Sequence, residues 1–340
     1  MTNSQEIALI TGITGMVGSH LADYLLKHTD WHIYGMCRWR SPFDNISHLL
    51  KDIEEKNRIE LIYGDLNDYA SLQNVLSKSK PDYVFHLAAQ SYPKTSFESP
   101  IETLNTNVIG TNNLLEVIRK SESSHAMIHV CASSEVFGRV SKEKLPIHED
   151  VTFHPASPYA ISKVGTDLIG RFYGEAYKLN CMTTRMFTHT GPRRGDVFAE
   201  SSFAKQIAMV EAGLIKPVIK TGNLNSLRTF ADVRDAVEAY YKLLTINPKP
   251  GEYYNIGGSY TCTIGEMLET LISFSKVQGI KVETDPERLR PIDADLQVPD
   301  ITKFSNHTGW KPKIPFEKTM LDLLNYWREK INSGEKFLSR

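Results

Sequence analysis

The chain has 340 residues, 41% hydrophobic and 10% aromatic, and its 39 Lys and Arg against 40 Asp and Glu leave a formal net charge of −1. That balance excludes a protein that coats nucleic acid through a basic excess, and the apolar content excludes an acidic disordered tail. The length suffices for one large domain or for two that share a cleft. Cys37, Cys131, Cys181 and Cys262 form no C-x-x-C pair and no disulfide framework, so a reducing compartment is expected. The N-terminal residues are polar, without a basic segment leading into an apolar core, and no run approaches the ~18 apolar residues of a membrane span. A cytoplasmic location is expected, with neither nucleic acid nor membrane as a partner.

Residues 6–11 are a short apolar run that predicts a first strand, ending in a Gly-rich turn. Residues 19–28 follow as a helix with Leu21, Ala22, Leu25 and Leu26 on one face. Further strands are predicted over 32–37, 59–63, 83–88, 127–132 and 181–187, with helices over 69–77 and 103–120 between them. Strands alternating with helices indicate β-α-β units, and near-continuous apolar strands indicate burial on both faces. The predicted fold class is α/β, a Rossmann-like doubly wound parallel sheet. Beyond residue 188 the alternation fades. Helices are predicted over 230–244, 264–274 and 316–331, with one more strand over 253–257. This half predicts a smaller mixed α/β C-terminal substrate-binding cap. The expected division is a dinucleotide-binding domain over 1–187, to which 229–258 return, and a second domain over 188–228 and 259–340.

The turn after the first strand reads Gly12-Ile13-Thr14-Gly15-Met16-Val17-Gly18. Glycines there permit a tight turn and let backbone N–H groups approach a pyrophosphate, and a helix N-terminus adds partial positive charge. The spacing is G-x-x-G-x-x-G rather than G-x-G-x-x-G, and glycines also serve ordinary turns. The position between first strand and first helix favours a dinucleotide. An NAD site offers an acid to the ribose 2′-hydroxyl about 20 residues further on. Here the second strand ends Gly35-Met36-Cys37-Arg38-Trp39-Arg40-Ser41, without an acid. Arg38 and Arg40 suit a 2′-phosphate, so NADP is expected over NAD; the alternative is a pair of solvated loop charges. Asp65, in Gly64-Asp65-Leu66, fits either the adenine side or a helix cap or turn.

Tyr159 and Lys163 are four apart, which puts phenol and ammonium on one helical face. A nearby cation stabilises phenolate and lowers the tyrosine pKa, as proton exchange with a substrate hydroxyl requires. The same spacing also occurs in solvated helix pairs. Here it follows a predicted strand running into Ala132-Ser133-Ser134-Glu135, at the carboxyl edge where open α/β sheets bind ligands. No His/Cys/Asp cluster has metal spacing, and no G-x-S-x-G elbow occurs.

Over nearly its whole length the chain resembles the extended short-chain dehydrogenase/reductases, and within them the GDP-mannose 4,6-dehydratases. The resemblance lies in Thr11-Gly12-Ile13-Thr14-Gly15, His86-Leu87-Ala88-Ala89-Gln90-Ser91, Ser133-Ser134-Glu135, Ser157-Pro158-Tyr159-Ala160 with Lys163, Gly191-Pro192-Arg193-Arg194-Gly195, Ser226-Leu227-Arg228 and Gly309-Trp310-Lys311-Pro312. The Pro-Arg-Arg-Gly segment, the Arg-Trp-Arg after the second strand and Asp285-Pro286 with Arg290-Pro291 point towards GDP-sugar enzymes.

The resemblance implies NADP-dependent 4,6-dehydration of a GDP-sugar, GDP-mannose or GDP-manno-heptose, to the GDP-4-keto-6-deoxy sugar. It implies that Tyr159, assisted by Lys163, takes the C4 hydroxyl proton as hydride leaves C4. Glu135 then removes the C5 proton and helps expel the C6 hydroxyl as water, and hydride returns to C6. Ser133 stands where the family usually has Thr, near O4, with Ser134 beside it. Implied cofactor contacts are Gly12, Thr14, Gly15, Met16, Val17, Gly18, Arg38, Arg40, Asp65, Leu66, Leu87, Ala88, Ala89, Tyr159, Lys163, His189 and Arg194. Implied substrate contacts are Ser91, Glu135, Thr188, Lys205, Arg228 and Arg290. Outside that context Glu135 reads as a capping carboxylate, His189 as a satisfied polar residue and the cations as surface charges. Thr188 replaces an Asn of the family and Glu102 a Tyr; the smaller Thr188 leaves room for a larger hexose derivative. A GDP-4-keto-6-deoxy-sugar reductase or a GDP-sugar C4 dehydrogenase or epimerase shares these motifs. A non-catalytic NADP-sensing module is disfavoured by the presence of Tyr159, Lys163 and Glu135 together. A homodimer or homotetramer is implied, with the 38–45 segment able to reach a neighbour's cofactor.

Overall fold

The structure, a computed structural model, describes residues 5–289 and 294–334. The strands are β1 (Ile7–Thr11), β2 (His32–Cys37), β3 (Ile59–Tyr63), β4 (Tyr83–His86), β5 (Met127–Cys131), β6 (Asn180–Met186), β7 (His189–Thr190), β8 (Val218–Thr221), β9 (Leu227–Asp232), β10 (Tyr253–Ile256), β11 (Tyr260–Thr263), β12 (Lys281–Thr284) and β13 (Leu296–Gln297). The helices are α1 (Met16–His28), α2 (Leu50–Glu54), α3 (Tyr69–Ser79), α4 (Pro93–Glu98), α5 (Pro100–Leu104), α6 (Gly110–Lys120), α7 (Pro158–Tyr177), α8 (Ala199–Glu211), α9 (Val233–Thr245), α10 (Ile264–Ser273), α11 (Thr302–Thr308) and α12 (Phe316–Asn332).

Seven strands form one parallel sheet in the order β10-β6-β5-β4-β1-β2-β3. The side-chain period of two explains why its strands are apolar at successive positions. On β1, Ala8 and Ile10 face a core shared with Leu21 and Leu25 of α1 and Tyr240 of α9. Leu9 faces the opposite core, with Leu72 and Val75 of α3 and Leu114 and Ile118 of α6. This is the doubly wound α/β sheet expected. A third core, around Phe203, Ile207, Met267, Leu271, Met320 and Leu323, joins α8, α10 and α12. It lies beside a small sheet in which β9 pairs with β11 antiparallel and with β13 and β7 in parallel. Among the described residues no helix is long and apolar enough to cross a membrane.

Three predicted elements need correction. The helix expected over 230–244 is a strand followed by a helix. Phe230 pairs with Tyr260 in β9, and the Asp232 carboxylate accepts from the Arg234 N–H at 2.8 Å to start α9. The helix over 103–120 is interrupted by a π turn at Asn105–Ile109, where the Asn107 carbonyl accepts from Thr111 Oγ1 and Thr166 Oγ1. The strand expected over 83–88 stops at His86, because the N–H groups of Leu87 and Ala88 turn to Thr11 Oγ1, each at 3.0 Å.

Candidate active site

At the end of β1 the Gly-rich turn closes with Gly15 N–H donating to the Gly12 carbonyl at 3.0 Å. Gly12 has φ +74°, and a Cβ there would lie 2.9 Å from Ala88 Cα. A Cβ on Gly18 would lie 2.4 Å from the Gly12 carbonyl oxygen. Both positions therefore exclude any side chain. Gly15 caps α1 without a side-chain hydrogen bond, and no acid stands in the first turn. The N–H groups and positive end of α1, with Thr14, Met16 and Val17 in the turn, are left for an anion. Arg38 and Arg40 follow β2, exposed, and neither forms an ion pair among the described residues. The α1 N-terminus after β1 and two exposed arginines after the neighbouring β2, without an ion pair among the described residues, fit a dinucleotide with a 2′-phosphate.

Asp65 acts as a turn residue, its carboxylate accepting from Asn67 N–H at 3.0 Å, while Asp68 caps α3. Leu66 is buried against α6, where a Cβ on Gly110 would come within 2.7 Å of its own Cβ. Leu87 and Ala88 lie against the turn, their N–H groups donating to Thr11 Oγ1, and Ala89 follows them.

The second half of the site is built where β5 ends. Ser133 Oγ accepts from the Glu135 N–H at 3.2 Å and so starts a short 3-10 turn. Ser134 is buried, and the half-buried Glu135 carboxylate makes no ion pair among the described residues. Ser157 caps α7 by accepting from Ala160 N–H at 3.0 Å, with Pro158 in the first turn, and this places Tyr159 and Lys163 on the buried face. Ser133 hydrogen-bonds Tyr159, and the charges of Glu135 and Arg194 act on its phenol. The structure thus brings Ser133, Glu135, Tyr159 and Arg194 together.

The expected direction of the Tyr159 pKa is reversed. Burial pushes the phenol well above its ordinary range, and the Ser133 hydrogen bond opposes this. The Lys163 ammonium donates instead to the Cys131 carbonyl at 2.7 Å, and burial lowers its pKa.

His189 Nδ1 donates to the Phe187 carbonyl at 3.1 Å, leaving Nε2 as the free acceptor. Burial, with Arg194 beside it, holds its pKa at about 4, so the ring is neutral. Arg194 lies 3.4 Å over the Phe198 ring and pairs with Glu200 at 3.1 Å. Lys205 pairs with Asp196 at 2.7 Å, and Arg228 donates to the carbonyls of Leu227 and Ala294. Thr188 is half-buried, Ser91 is exposed, and Arg290 lies outside the described residues. Two of the cations expected at substrate or cofactor phosphates are therefore held by carboxylates.

Asn107 is a further residue of the site, which no sequence motif marks. Its side-chain amide donates to the Gln90 carbonyl at 2.9 Å and to Ser162 Oγ at 2.8 Å, and accepts from Gln90 N–H at 2.8 Å. It joins the segment after β4 to α7. Its only local signal is a short polar run, Asn105-Thr106-Asn107, inside an otherwise helical stretch.

A family profile described as GDP-mannose 4,6 dehydratase matches residues 9–323. The chain belongs to this family. Its relatives include GDP-mannose 4,6 dehydratase 1 of Arabidopsis thaliana, 34% identical over 92% of this chain and 87% of that protein. They also include GDP-6-deoxy-D-mannose reductase of Pseudomonas aeruginosa, 30% identical over 95% of this chain and 97% of that protein. The solved structure of RMD from Pseudomonas aeruginosa complexed with NADPH superposes with a TM-score of 0.80 at 29% identity, covering 95% of this chain and 99% of the other. Dehydratases and a reductase are thus both among the chain's relatives.

Proposed function

We propose that the chain is an NADP-dependent GDP-sugar 4,6-dehydratase, a hydro-lyase acting on GDP-mannose or GDP-manno-heptose. The observation that carries this reading is the Glu135 carboxylate, without an ion pair among the described residues, beside a buried Ser133–Tyr159 pair. A simple dehydrogenase needs one group to move the hydroxyl proton, whereas an elimination needs a second base. Bound NADP would supply acceptance of a hydride from C4 and its return at C6. Tyr159 exchanges the C4 hydroxyl proton, with Ser133 holding the phenol. Because burial disfavours phenolate, the basic form draws on Arg194 and on Lys163, which shares its helical face. Once C4 is a ketone, Glu135 removes the C5 proton and passes it to the departing C6 hydroxyl, which leaves as water. The proton taken from O4 balances the one returned to C5.

In this reading residues 1–187 with 229–258 hold the cofactor, and 188–228 with 259–340 hold the GDP-sugar through Lys205, Arg228 and Arg290. A cytoplasmic location is part of this reading, proposed from four cysteines scattered through the sequence without a disulfide framework. Arg38→Ala is expected to weaken 2′,5′-ADP roughly tenfold through loss of a charge-assisted contact. 5′-ADP should be affected little; equal losses in calorimetry would refute the 2′-phosphate assignment. The function itself is tested by incubating the enzyme with GDP-mannose and with GDP-manno-heptose and identifying the products. A GDP-4-keto-6-deoxy sugar from either supports it, and no dehydration of either overturns it. The Pseudomonas aeruginosa relatives favour a second reading, reduction of a GDP-4-keto-6-deoxy sugar; net NADPH consumption with that substrate would establish it.

A homodimer is proposed from one surface. α7 exposes Ile161, Leu168 and Phe172, the last two at 49% and 52%, and the adjacent 101–109 segment exposes Ile101 and Ile109. Their spacing forms an apolar stripe on each of two neighbouring helices. A second copy about a two-fold axis would cover both stripes in a four-helix contact. Leu168→Lys with Phe172→Glu should halve the mass seen by light scattering without changing the circular dichroism. An unchanged mass would place the interface elsewhere.

A further inference from the structure

We infer that His86, held as the neutral Nε2–H tautomer, is a positioning residue that ties the phosphate-binding turn to the helix carrying Tyr159. The inference rests on the reading of that turn as a dinucleotide site and of Tyr159 as the acid–base group.

The hydrogens of its neighbours fix the tautomer. Thr111 Oγ1 donates to the Asn107 carbonyl at 2.6 Å, so its hydrogen is committed. It meets His86 Nε2 at 3.0 Å as an acceptor, and Nε2 must carry the hydrogen. On the other side Thr11 Oγ1 accepts from the N–H groups of Leu87 and Ala88. Its own hydrogen remains for His86 Nδ1, 3.0 Å away. The hydrogens of His86 Nε2, Thr11 Oγ1 and Thr111 Oγ1 then each have an acceptor. A second hydrogen on the ring would point at a hydroxyl whose lone pairs are already taken. Burial, with the Lys163 charge adding to it, agrees, holding the ring's pKa at about 3.

The line of hydrogen bonds continues in both directions. From Asn107 it passes to Ser162 Oγ at 2.8 Å, and Ser162 donates to the Tyr159 carbonyl at 2.7 Å. In the other direction Thr11 immediately precedes Gly12, and Ala88 lies in backbone contact with that glycine. The spacing between the turn and the first turn of α7 is therefore set by one buried chain, in which His86 is the ionisable member. Histidine suits the place because its two ring nitrogens can accept on one side and donate on the other across a rigid ring.

The test compares the full-length wild-type protein with His86→Gln and His86→Leu. Gln offers an oxygen to Thr11 and an N–H to Thr111; Leu offers similar bulk and neither. Nitrogen-15 correlation spectra at neutral pH, with the His86 signal assigned as the one absent from His86→Gln, should show Nε2 protonated and Nδ1 bare. His86→Leu should weaken 2′,5′-ADP binding and lower kcat, each about tenfold, as expected when buried hydrogen-bonding groups are left unmatched. His86→Gln should restore both to within roughly threefold. A purely packing role predicts that Leu is tolerated at least as well as Gln, and that result, or an Nδ1–H tautomer, would overturn the inference. If His86→Leu does not fold, the tautomer and the Gln variant still decide it. A wild-type protein that does not bind 2′,5′-ADP would instead contradict the cofactor reading, leaving the tautomer and the kcat contrast as the tests of His86.

Discussion

Glu135→Gln is expected to lower dehydration by roughly 10²–10⁴-fold, the range for loss of a general base. The variant should fold normally. Ser133 Oγ is held by the backbone N–H of residue 135, which the substitution leaves in place, and the carboxylate has no ion pair to lose among the described residues. Oxidation at C4 does not need this carboxylate, so the reaction should stall after it. Reduced nicotinamide would then build up on the enzyme, and exchange of the C5 hydrogen with deuterated solvent would cease. A Gln variant that dehydrates at the normal rate would show that Glu135 is not the base.

Tyr159→Phe should remove activity to a similar extent, about 3–5 kcal/mol of barrier. The ring stays in its buried place on α7, so packing is kept and the effect should fall on kcat rather than on thermal stability. Loss of the hydrogen bond with Ser133 should lower stability by about 1–2 kcal/mol at most. Activity within tenfold of the wild type would mean that another group carries the C4 proton. The direction of the phenol's pKa sharpens this prediction. A tyrosine that burial keeps protonated at neutral pH needs its cationic surroundings to act as a base, so Lys163→Met should shift the alkaline rise of kcat upward. An unchanged profile would remove Lys163 from that role.

Much of the sheet was legible in the sequence, because its strands are buried on both faces and read as apolar runs, the first of them ending in a Gly-rich turn. Gly12 and Gly18 stand where no Cβ fits, so their residue type reports backbone contact directly. What could not be read is what depends on tertiary neighbours. Phe230, Ala231, Val233 and Ala236 satisfy a helical period and a strand period at once. Pairing with β11 as far as Phe230, and with β7 at Ala231 and Asp232, makes the first of these residues a strand. At the π turn of Asn105–Ile109 hydroxyls of Thr111 and Thr166 meet one carbonyl, a tertiary contact that no local pattern announces. The Tyr159–Lys163 spacing was visible, but burial, not spacing, governs the phenol. Arg194 and Lys205 read as phosphate ligands; Glu200 and Asp196 lie nearby in sequence, yet their pairing is settled only by how α8 packs.

The most direct measurement uses GDP-mannose, or GDP-manno-heptose if that is the better substrate, carrying deuterium at C4, with no reductant added. Internal hydride return predicts a GDP-4-keto-6-deoxy product with the deuterium at C6 and no net change in cofactor. A 4-keto product without deuterium at C6, accompanied by stoichiometric reduced cofactor, would contradict dehydration and identify a C4 dehydrogenase.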